Sequence, residues 1–147
     1  MKLVALRVKL RIKARRSDKT IETSALANSG FETEKPQLLI PLGLARELDL
    51  WPPPPDSELI ELGTAGGPVK NYLIRDALEV SVVAKDRIVG PVICDALISH
   101  LEHEVLINDK LGEELKIVIL AMGSGKWRFA DDHPSIIRET ERPQYWT

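Results

Sequence analysis

The residues of this chain with potential for chemistry begin with a short polar turn, Asn28-Ser29-Gly30. The turn lies between an apolar segment at 24–27 and a second apolar run at 38–40. Asn and Gly tolerate positive φ angles, so the tripeptide by itself is typical of an ordinary connection. The Asn amide can donate and accept hydrogen bonds, but it cannot take up a proton near neutral pH. The features that follow in the sequence decide whether the turn is a functional site.

A glycine-rich stretch is the next such feature. Its residues are Gly63, Thr64, Ala65, Gly66 and Gly67. Paired glycines supply the positive φ that tight hairpin turns need, so we predict a hairpin over residues 58–74. Residues 78–82 alternate between apolar and polar side chains, which predicts a further strand. An apolar run at 105–107 predicts a short buried strand, and a short helix at 109–115 is expected to follow it.

The order of these features resembles the single-lobe aspartic peptidases of the retroviral type, the retropepsins, and especially their shorter cellular and prokaryotic relatives. The resemblance is carried by the segment from Ala25 to Gly30, by the strand and Pro41-led helix that follow, and by the later strands. It extends over roughly residues 1–120. It implies an all-β fold, namely a closed β-barrel with a flap hairpin at 63–67 and one or two short helices, assembled as a homodimer.

In this family an Asp from each chain precedes Thr/Ser-Gly, and the two carboxylates share one proton while they activate a water. The resemblance places Asn28 at the position of that Asp, with Ser29 orienting its side chain and Gly30 keeping the backbone tight. The motif occurs once, so a complete site needs two chains related by a two-fold axis. Asn28 lacks the general base, whose loss typically costs about 10²–10⁴ in rate.

The resemblance therefore implies a pseudoenzyme without standard peptidase activity, which binds an extended peptide under the flap or has a structural role. Its substrate-binding residues are the flap residues at 63–67. Two alternatives remain open. One is an active dimeric aspartic endopeptidase, in which Asn28 is an engineered or deamidated Asp or pairs with an Asp-bearing partner. The other is a nucleic-acid-binding module that uses a basic N-terminal strand.

This basic strand is predicted over residues 2–13, where apolar and charged side chains alternate strictly. The apolar face is Val4, Leu6, Val8, Leu10 and Ile12, and the polar face is Arg7, Lys9, Arg11 and Lys13. A stripe of cations can contact phosphates, but it also keeps a half-exposed strand soluble. Aromatic residues do not interleave with these cations, as they do in most single-strand binders, so we do not expect nucleic acid as a partner.

Two polar residues interrupt otherwise apolar strands. Asn108 follows Ile107 where the family commonly has Gly, and an Asn at this position can still adopt a left-handed conformation. Asp95 lies between Cys94 and Ala96, and we predict that its side chain faces outward from the strand. Cys94 itself is expected to be a small buried apolar residue rather than a nucleophile.

Composition limits the remaining function classes. The chain has 147 residues, a net charge of −2 and one cysteine, which is typical of one globular domain without an intrachain disulfide. The longest apolar runs are too short to span a bilayer, and no secretory signal is recognised, so we expect a cytoplasmic protein without a membrane partner. We predict no cofactor.

Two further clusters were considered as ligand sites. His100, Glu102, His103 and Glu104 are metal-binding residue types, but their spacing is typical of a solvated loop, and we predict no metal. The stretch 123–126 resembles a phosphate-binding loop, but it lacks the upstream Gly and has Trp127 where Ser or Thr binds Mg²⁺.

The domain organisation is predicted as a barrel domain at 1–122 and a C-terminal extension at 123–147. Residues 116–121 are expected to be the strand that closes the barrel. The extension is polar but contains Trp127, Phe129, Tyr145 and Trp146, which are too apolar for a solvated tail. We expect it to pack on the barrel or on a dimer partner, or to be partly disordered.

Overall fold

The computed structural model describes residues 5–27, 33–64 and 66–147 of the chain. Within them, ten strands and two short helices are formed. They are β1 Arg7–Ala14, β2 Thr20–Ala27, β3 Gln37–Pro41, α1 Leu42–Glu47, β4 Glu58–Thr64, β5 Gly67–Val83, β6 Ile88–Ser99, β7 Val105–Ile107, α2 Asp109–Glu114, β8 Ile117–Ala121, β9 Lys126–Phe129 and β10 Arg138–Glu139.

Six of these strands form a closed β-barrel. Their order is β1-β2-β7-β3-β6-β5, and an antiparallel pairing between β5 and β1 closes the circle. β4 lies outside the circle and pairs only with the first half of β5, so that these two strands form a hairpin that projects from the barrel. The predicted all-β barrel with two short helices is thus confirmed. In the described part of the chain, no helix is long and apolar enough to cross a membrane.

The barrel interior is filled by the apolar side chains that alternate along the strands. Val8, Leu10 and Ile12 of β1 are completely buried there, as the strict alternation predicts. Cys94 of β6 belongs to the same core, and burial raises the pKa of its thiol, so it serves as a small apolar residue. Trp127 and Phe129 of β9 also pack into this core, which ties the second sheet to the barrel.

β5 and β6 are longer than the sequence suggests. The sequence predicts one strand that ends at residue 74 and another at 78–82, but β5 runs unbroken over 17 residues, and β6 runs over 12 residues that include Gly90 and Pro91. The two strands stay paired because β5 absorbs a register shift between Ile74 and Leu78. Asp76 adopts a positive φ within this shift, and its amide donates a hydrogen bond to Oδ1 of Asp95.

The prediction that residues 116–121 close the barrel is wrong. β8 instead forms the edge of a second, three-stranded sheet with β9 and β10. The barrel needs no further strand because the second half of β1 pairs directly with β5, from Leu10 opposite Val82 to Ala14 opposite Leu78. β8 and β9 pair with each other across the expected domain boundary at residue 122.

A cluster of charged residues fastens the C-terminal extension to the turn between β5 and β6. Asp132, whose side chain is 3% exposed, accepts hydrogen bonds from Arg138, from Arg87 and from the amide of Phe129. Arg138 also pairs with Asp86, and the two guanidinium groups cover the Phe129 ring at 4.8 and 4.9 Å. These contacts, led by the hydrogen bond from Arg138, lower the pKa of Asp132 from 3.8 to about 2.

The lowered pKa of Asp132 predicts an acid-sensitive contribution to stability. Its ionised form is favoured in the folded state, so the contribution is fully present above the unfolded pKa of 3.8 and is lost as the pH falls through about 2. The shift corresponds to roughly 2 kcal/mol. Asp132→Asn should therefore lower the free energy of unfolding in urea by about that amount at neutral pH and flatten its decline in acid. The exposed neighbour Asp131→Asn is the control, and an equal effect of both variants would contradict this role.

Candidate functional site

The turn predicted to carry the site, Asn28-Ser29-Gly30, lies outside the described residues, as does Ala65 of the glycine-rich stretch. The chain is described up to Ala27 and again from Thr33. The assignment of position 28 to a catalytic turn therefore stays a prediction. The strands on both sides of this turn can be described in full.

β7 holds the chain segments that lead into and out of this turn. β2 ends at Ala27, which pairs with Ile107 in the parallel β2–β7 pair. On its other side β7 runs antiparallel to β3, with Leu38 opposite Ile107. The residues before and after 28–32 are thus fixed to the same three-residue strand.

Asn108, directly after β7, fixes the returning segment through its side chain. The residue is 1% exposed, and its Oδ1 accepts hydrogen bonds from the amides of Gln37, at 3.0 Å, and Leu111, at 2.9 Å. Its Nδ2 donates to Thr33 Oγ1 and to the Lys35 carbonyl, both at 2.8 Å. Both lone pairs of the amide oxygen and both hydrogens of the amide nitrogen are therefore engaged, in the segment before β3 and in α2.

The backbone of Asn108 is extended, with φ −76° and ψ 167°, so the left-handed conformation considered from the sequence is not adopted. The residue acts instead as the N-cap of α2, where its side chain accepts the amide hydrogen of Leu111. An Asn is therefore required here for its side chain rather than for its backbone freedom.

A row of five leucines crosses the sheet on the side that faces away from the barrel interior. Directly paired positions define it: Leu26 with Leu106, Leu106 with Leu39, Leu39 with Leu97, and Leu97 with Leu73. We call these five residues the leucine row. Their strand neighbours belong to the interior core, whereas the row forms a separate apolar cluster. The row begins at Leu26, two residues before Asn28 in the sequence.

The leucine row is largely closed to solvent. The exposed fraction ranges from 0% at Leu97 to 8% at Leu106, and only Leu26 at its end is partly exposed. Ile60 of β4 packs against the row, so the β4–β5 hairpin contributes to its cover. A ligand that contacts these leucines would have to replace part of this cover.

The leucine row is only partly visible in the sequence. The runs at 38–40, 96–98 and 105–107 are apolar at every position, which indicates strands buried on both sides. The alignment of one leucine from each strand follows from the pairing of the strands, which no single run reveals.

Polar residues lie beside the leucine row along β3 and β6. Gln37 and Asp95 are paired positions, each two residues before a leucine of the row. The Gln37 Nε2 donates to Asp95 Oδ2 at 3.2 Å, while Asp95 Oδ1 accepts the amide of Asp76 at 2.8 Å. Asp95 thus faces away from the barrel interior, as predicted, but it is buried and hydrogen-bonded rather than solvated.

The glycine-rich stretch forms the connection of the β4–β5 hairpin, with Thr64 opposite Gly67. Gly67 has φ +108°, a conformation that favours glycine, and Gly63 and Gly66 are exposed. A Cβ placed on Gly63 or Gly67 would meet no other heavy atom within 4 Å, so the tip has free space around it. The hairpin is therefore positioned as the sequence predicts, and its role as a flap stays a prediction.

Cations on the polar face of the basic strand, together with Arg15 and Arg16 just beyond it, are paired with carboxylates. The pairs are Lys9 and Arg11 with Glu22, Lys13 with Asp18, Arg15 with Glu79, and Arg16 with Asp56. Such pairing leaves little uncompensated positive charge for phosphate groups. The arrangement favours the solubilising role that the sequence analysis preferred.

Arg7 departs from its predicted position on the solvated face. It is 8% exposed, and its guanidinium donates two hydrogen bonds to Glu104, at 2.6 and 3.0 Å. The contact with Glu104 raises the pKa of Arg7 further above its ordinary value. Arg7 pairs with Leu26 in the β1–β2 ladder, so this buried ion pair lies at the end of the leucine row.

The residue types considered as metal ligands are used otherwise. Glu104 binds Arg7, and the His100 ring lies edge-on to Trp51 and Tyr72 at 5.1 and 6.4 Å between centroids. Across the described ranges, no group of three or more His, Cys, Asp or Glu residues is arranged to hold a metal ion. Lys126, in the rejected phosphate-loop stretch, pairs with Glu139.

Comparison with known proteins adds no relative: the sequence matches no family model and no curated protein.

The hydrogen bonds of Asn108 predict a large effect of its removal. Asn108→Ala would leave the buried amides of Gln37 and Leu111 without acceptors and remove the helix cap, so we expect a loss of about 2–4 kcal/mol. Thr33→Val removes one of the four contacts and should cost about 1 kcal/mol. Urea unfolding followed by tryptophan fluorescence measures both. A loss at Asn108→Ala no larger than that at Thr33→Val would show that the segment before β3 is held by other contacts.

Proposed function

We propose that the protein is a retropepsin-like aspartic peptidase homologue that binds an extended peptide as a homodimer and does not hydrolyse it. The leucine row is the observation that carries this proposal. It is a buried apolar cluster on the outer side of a closed barrel, it begins two residues before Asn28 in the sequence, and Ile60 of the β4–β5 hairpin packs on it. Apolar surface beside a strand hairpin is the kind of site that takes an extended peptide.

Peptide binding on this surface requires the β4–β5 hairpin to move. The row is nearly closed to solvent, and Ile60 of the hairpin lies on it. The glycines at the tip have the conformational freedom that such a movement needs. The peptide would then replace Ile60 as the apolar contact of the row and pair its backbone with a hairpin strand.

The absence of hydrolysis follows from the residue type at position 28. Peptide hydrolysis by this family needs one carboxylate to take a proton from water and a second to protonate the developing oxyanion. Two Asn28 amides related by a two-fold axis would hydrogen-bond to each other without repulsion, but neither can exchange a proton near neutral pH. The bound peptide is therefore not hydrolysed.

Strand β8 supports the proposed homodimer. In the described part of the chain it has a hydrogen-bonded neighbour on one side only, β9. Ile119 and Leu120 are adjacent on this edge and are 38% and 39% exposed, and Met122 follows them. An exposed apolar edge strand is a template for pairing with another chain, and a second copy offers an identical edge.

The lack of activity is tested by peptide digestion. Wild-type protein should leave a mixed peptide library intact at acid and neutral pH, as judged by mass spectrometry. Asn28→Asp restores the family acid and should raise cleavage at least about 10²-fold in mild acid, because paired carboxylates share a proton there. Asn28→Ala is the matched control and should stay inactive.

Cleavage by the wild-type protein that a statine-type inhibitor blocks would favour the active endopeptidase instead. An inactive Asn28→Asp variant that still binds peptides would show that the site lacks more than its acid.

The dimer is tested at β8. Leu120→Glu places a charge on the apolar edge and should convert a dimer to a monomer in analytical ultracentrifugation, with little effect on the fold. Ile137→Glu is the control, because Ile137 is 59% exposed and does not belong to β8. A wild-type protein that sediments as a monomer at high concentration would refute the homodimer.

A further inference from the structure

The outer side of the sheet holds buried polar atoms that have no partner. Among the described residues, three buried side-chain oxygens lack a hydrogen bond: Ser24 Oγ, Gln37 Oε1 and Asn71 Oδ1. Each belongs to a residue two positions before a member of the leucine row on the same strand, namely Leu26, Leu39 and Leu73. Side chains two positions apart share a side of a sheet, so all three oxygens flank the leucine row.

Unpartnered buried oxygens are rare in folded proteins, because each loses its hydrogen bonds to water and gains none. Gln37 is 7% exposed and Asn71 is 2% exposed. The orientation of both amides is set by their nitrogen atoms, since Gln37 Nε2 donates to Asp95 and Asn71 Nδ2 donates to the Val69 carbonyl. The oxygen of each is therefore the atom that is left buried without a donor.

The registers of the strands place these two acceptors on opposite sides of Leu97. Gln37 pairs with Asp95, two residues before Leu97 on β6, whereas Asn71 is two residues before Leu73, the partner of Leu97 on β5. Because β5 runs antiparallel to β6, the acceptors lie four residue steps apart along the strands and two strands apart across them. This is roughly 16 Å, with Leu97 near the midpoint, for ordinary sheet spacings.

We infer that Gln37 and Asn71 are specificity-determining residues that select a peptide with two hydrogen-bond donor side chains around a large apolar residue. This inference rests on the proposed peptide-binding function. In an extended peptide, side chains at positions i, i+2 and i+4 point to the same side, and i and i+4 are about 13 Å apart. The peptide side chains are long enough to span the difference between about 13 Å and about 16 Å. The selected peptide therefore has an apolar residue at position i+2 and donor side chains at positions i and i+4, with any residue at i+1 and i+3.

The movement that admits this peptide also exposes Asn71. Ile60, which packs on the leucine row, is directly opposite Asn71 in the β4–β5 pair. Displacement of Ile60 by the apolar side chain of the peptide would uncover the Asn71 oxygen at the same time. The apolar side chain and the donor of the peptide would therefore bind in the same event.

The test uses nine-residue peptides with a central Leu and either Gln or Met two positions before and after it. Gln and Met have similar shape, but only Gln carries an N–H donor. Wild-type protein should bind the Gln peptide about tenfold more tightly than the Met peptide in a fluorescence polarisation assay. Asn71→Leu and Gln37→Leu should each reduce this preference severalfold, since an apolar side chain accepts no hydrogen bond.

Ser81→Ala is the matched control, because Ser81 is a buried polar residue of the same strand that lies far from the leucine row. Its preference for the Gln peptide should equal that of the wild type.

Different results would contradict the specificity role of Gln37 and Asn71 and the peptide-binding function itself. Wild-type binding of both peptides with no loss of preference in Asn71→Leu or Gln37→Leu would overturn the specificity role and leave peptide binding in place. Failure of the wild type to bind any peptide of the set at millimolar concentration would overturn both.

Discussion

The pairing of β7 with two strands of opposite direction is the constraint on which the candidate site depends. β7 has only three residues, yet it runs parallel to β2 and antiparallel to β3. The end of β2 at Ala27 and the start of β3 at Gln37 are therefore both held against the same short strand. Asn108 completes this arrangement, because its amide satisfies backbone groups on the returning segment and caps α2. Any function of the intervening turn is thus positioned by packed strands, which is how proteins hold a site to the accuracy that recognition needs.

Much of the fold could be predicted because its strands carry local patterns. The alternation of β1 defined its buried face, and the glycines at 63–67 marked a hairpin at its observed position. The lengths of β5 and β6 could not be predicted, since Gly90 and the shift at Asp76 resemble strand ends in the sequence. In the structure the pairing of β5 with β6 continues on both sides of Gly90, and the Asp95 carboxylate accepts a hydrogen bond from the amide of Asp76. Pairing across the sheet thus overrides local signals for a break.

The features that the sequence did not reveal are those that depend on distant partners. The alternation in β1 predicts a solvated Arg7 side chain. In the structure Arg7 is buried and pairs with Glu104, which lies 97 positions away in the sequence. β8 was placed in the barrel because it is the last apolar strand before the extension, whereas β1 already fills the closing position beside β5. The leucine row also depends on distant partners. Each leucine is an ordinary strand residue, and the registers of four strand pairs place the five leucines next to one another. The motif at position 28 lies outside the described residues and stays a prediction from the sequence.

The polar atoms beside the leucine row differ from those expected around a second hydrophobic core, and this difference supports the peptide-binding surface that we propose. A core that serves stability alone has its polar atoms hydrogen-bonded, and Asn108 and Asp95 show that this sheet can satisfy buried polar groups fully. The oxygens of Gln37 and Asn71, which flank the same leucines, are left without donors. Each such atom costs about 1–3 kcal/mol, and an apolar residue of similar shape would remove that cost. A ligand with donors for these oxygens removes this cost when it binds, whereas a ligand without donors does not. The unpartnered oxygens would therefore favour ligands that carry donors. None of these steps requires a carboxylate at position 28, so a site of this kind can recognise a peptide with Asn28 in place.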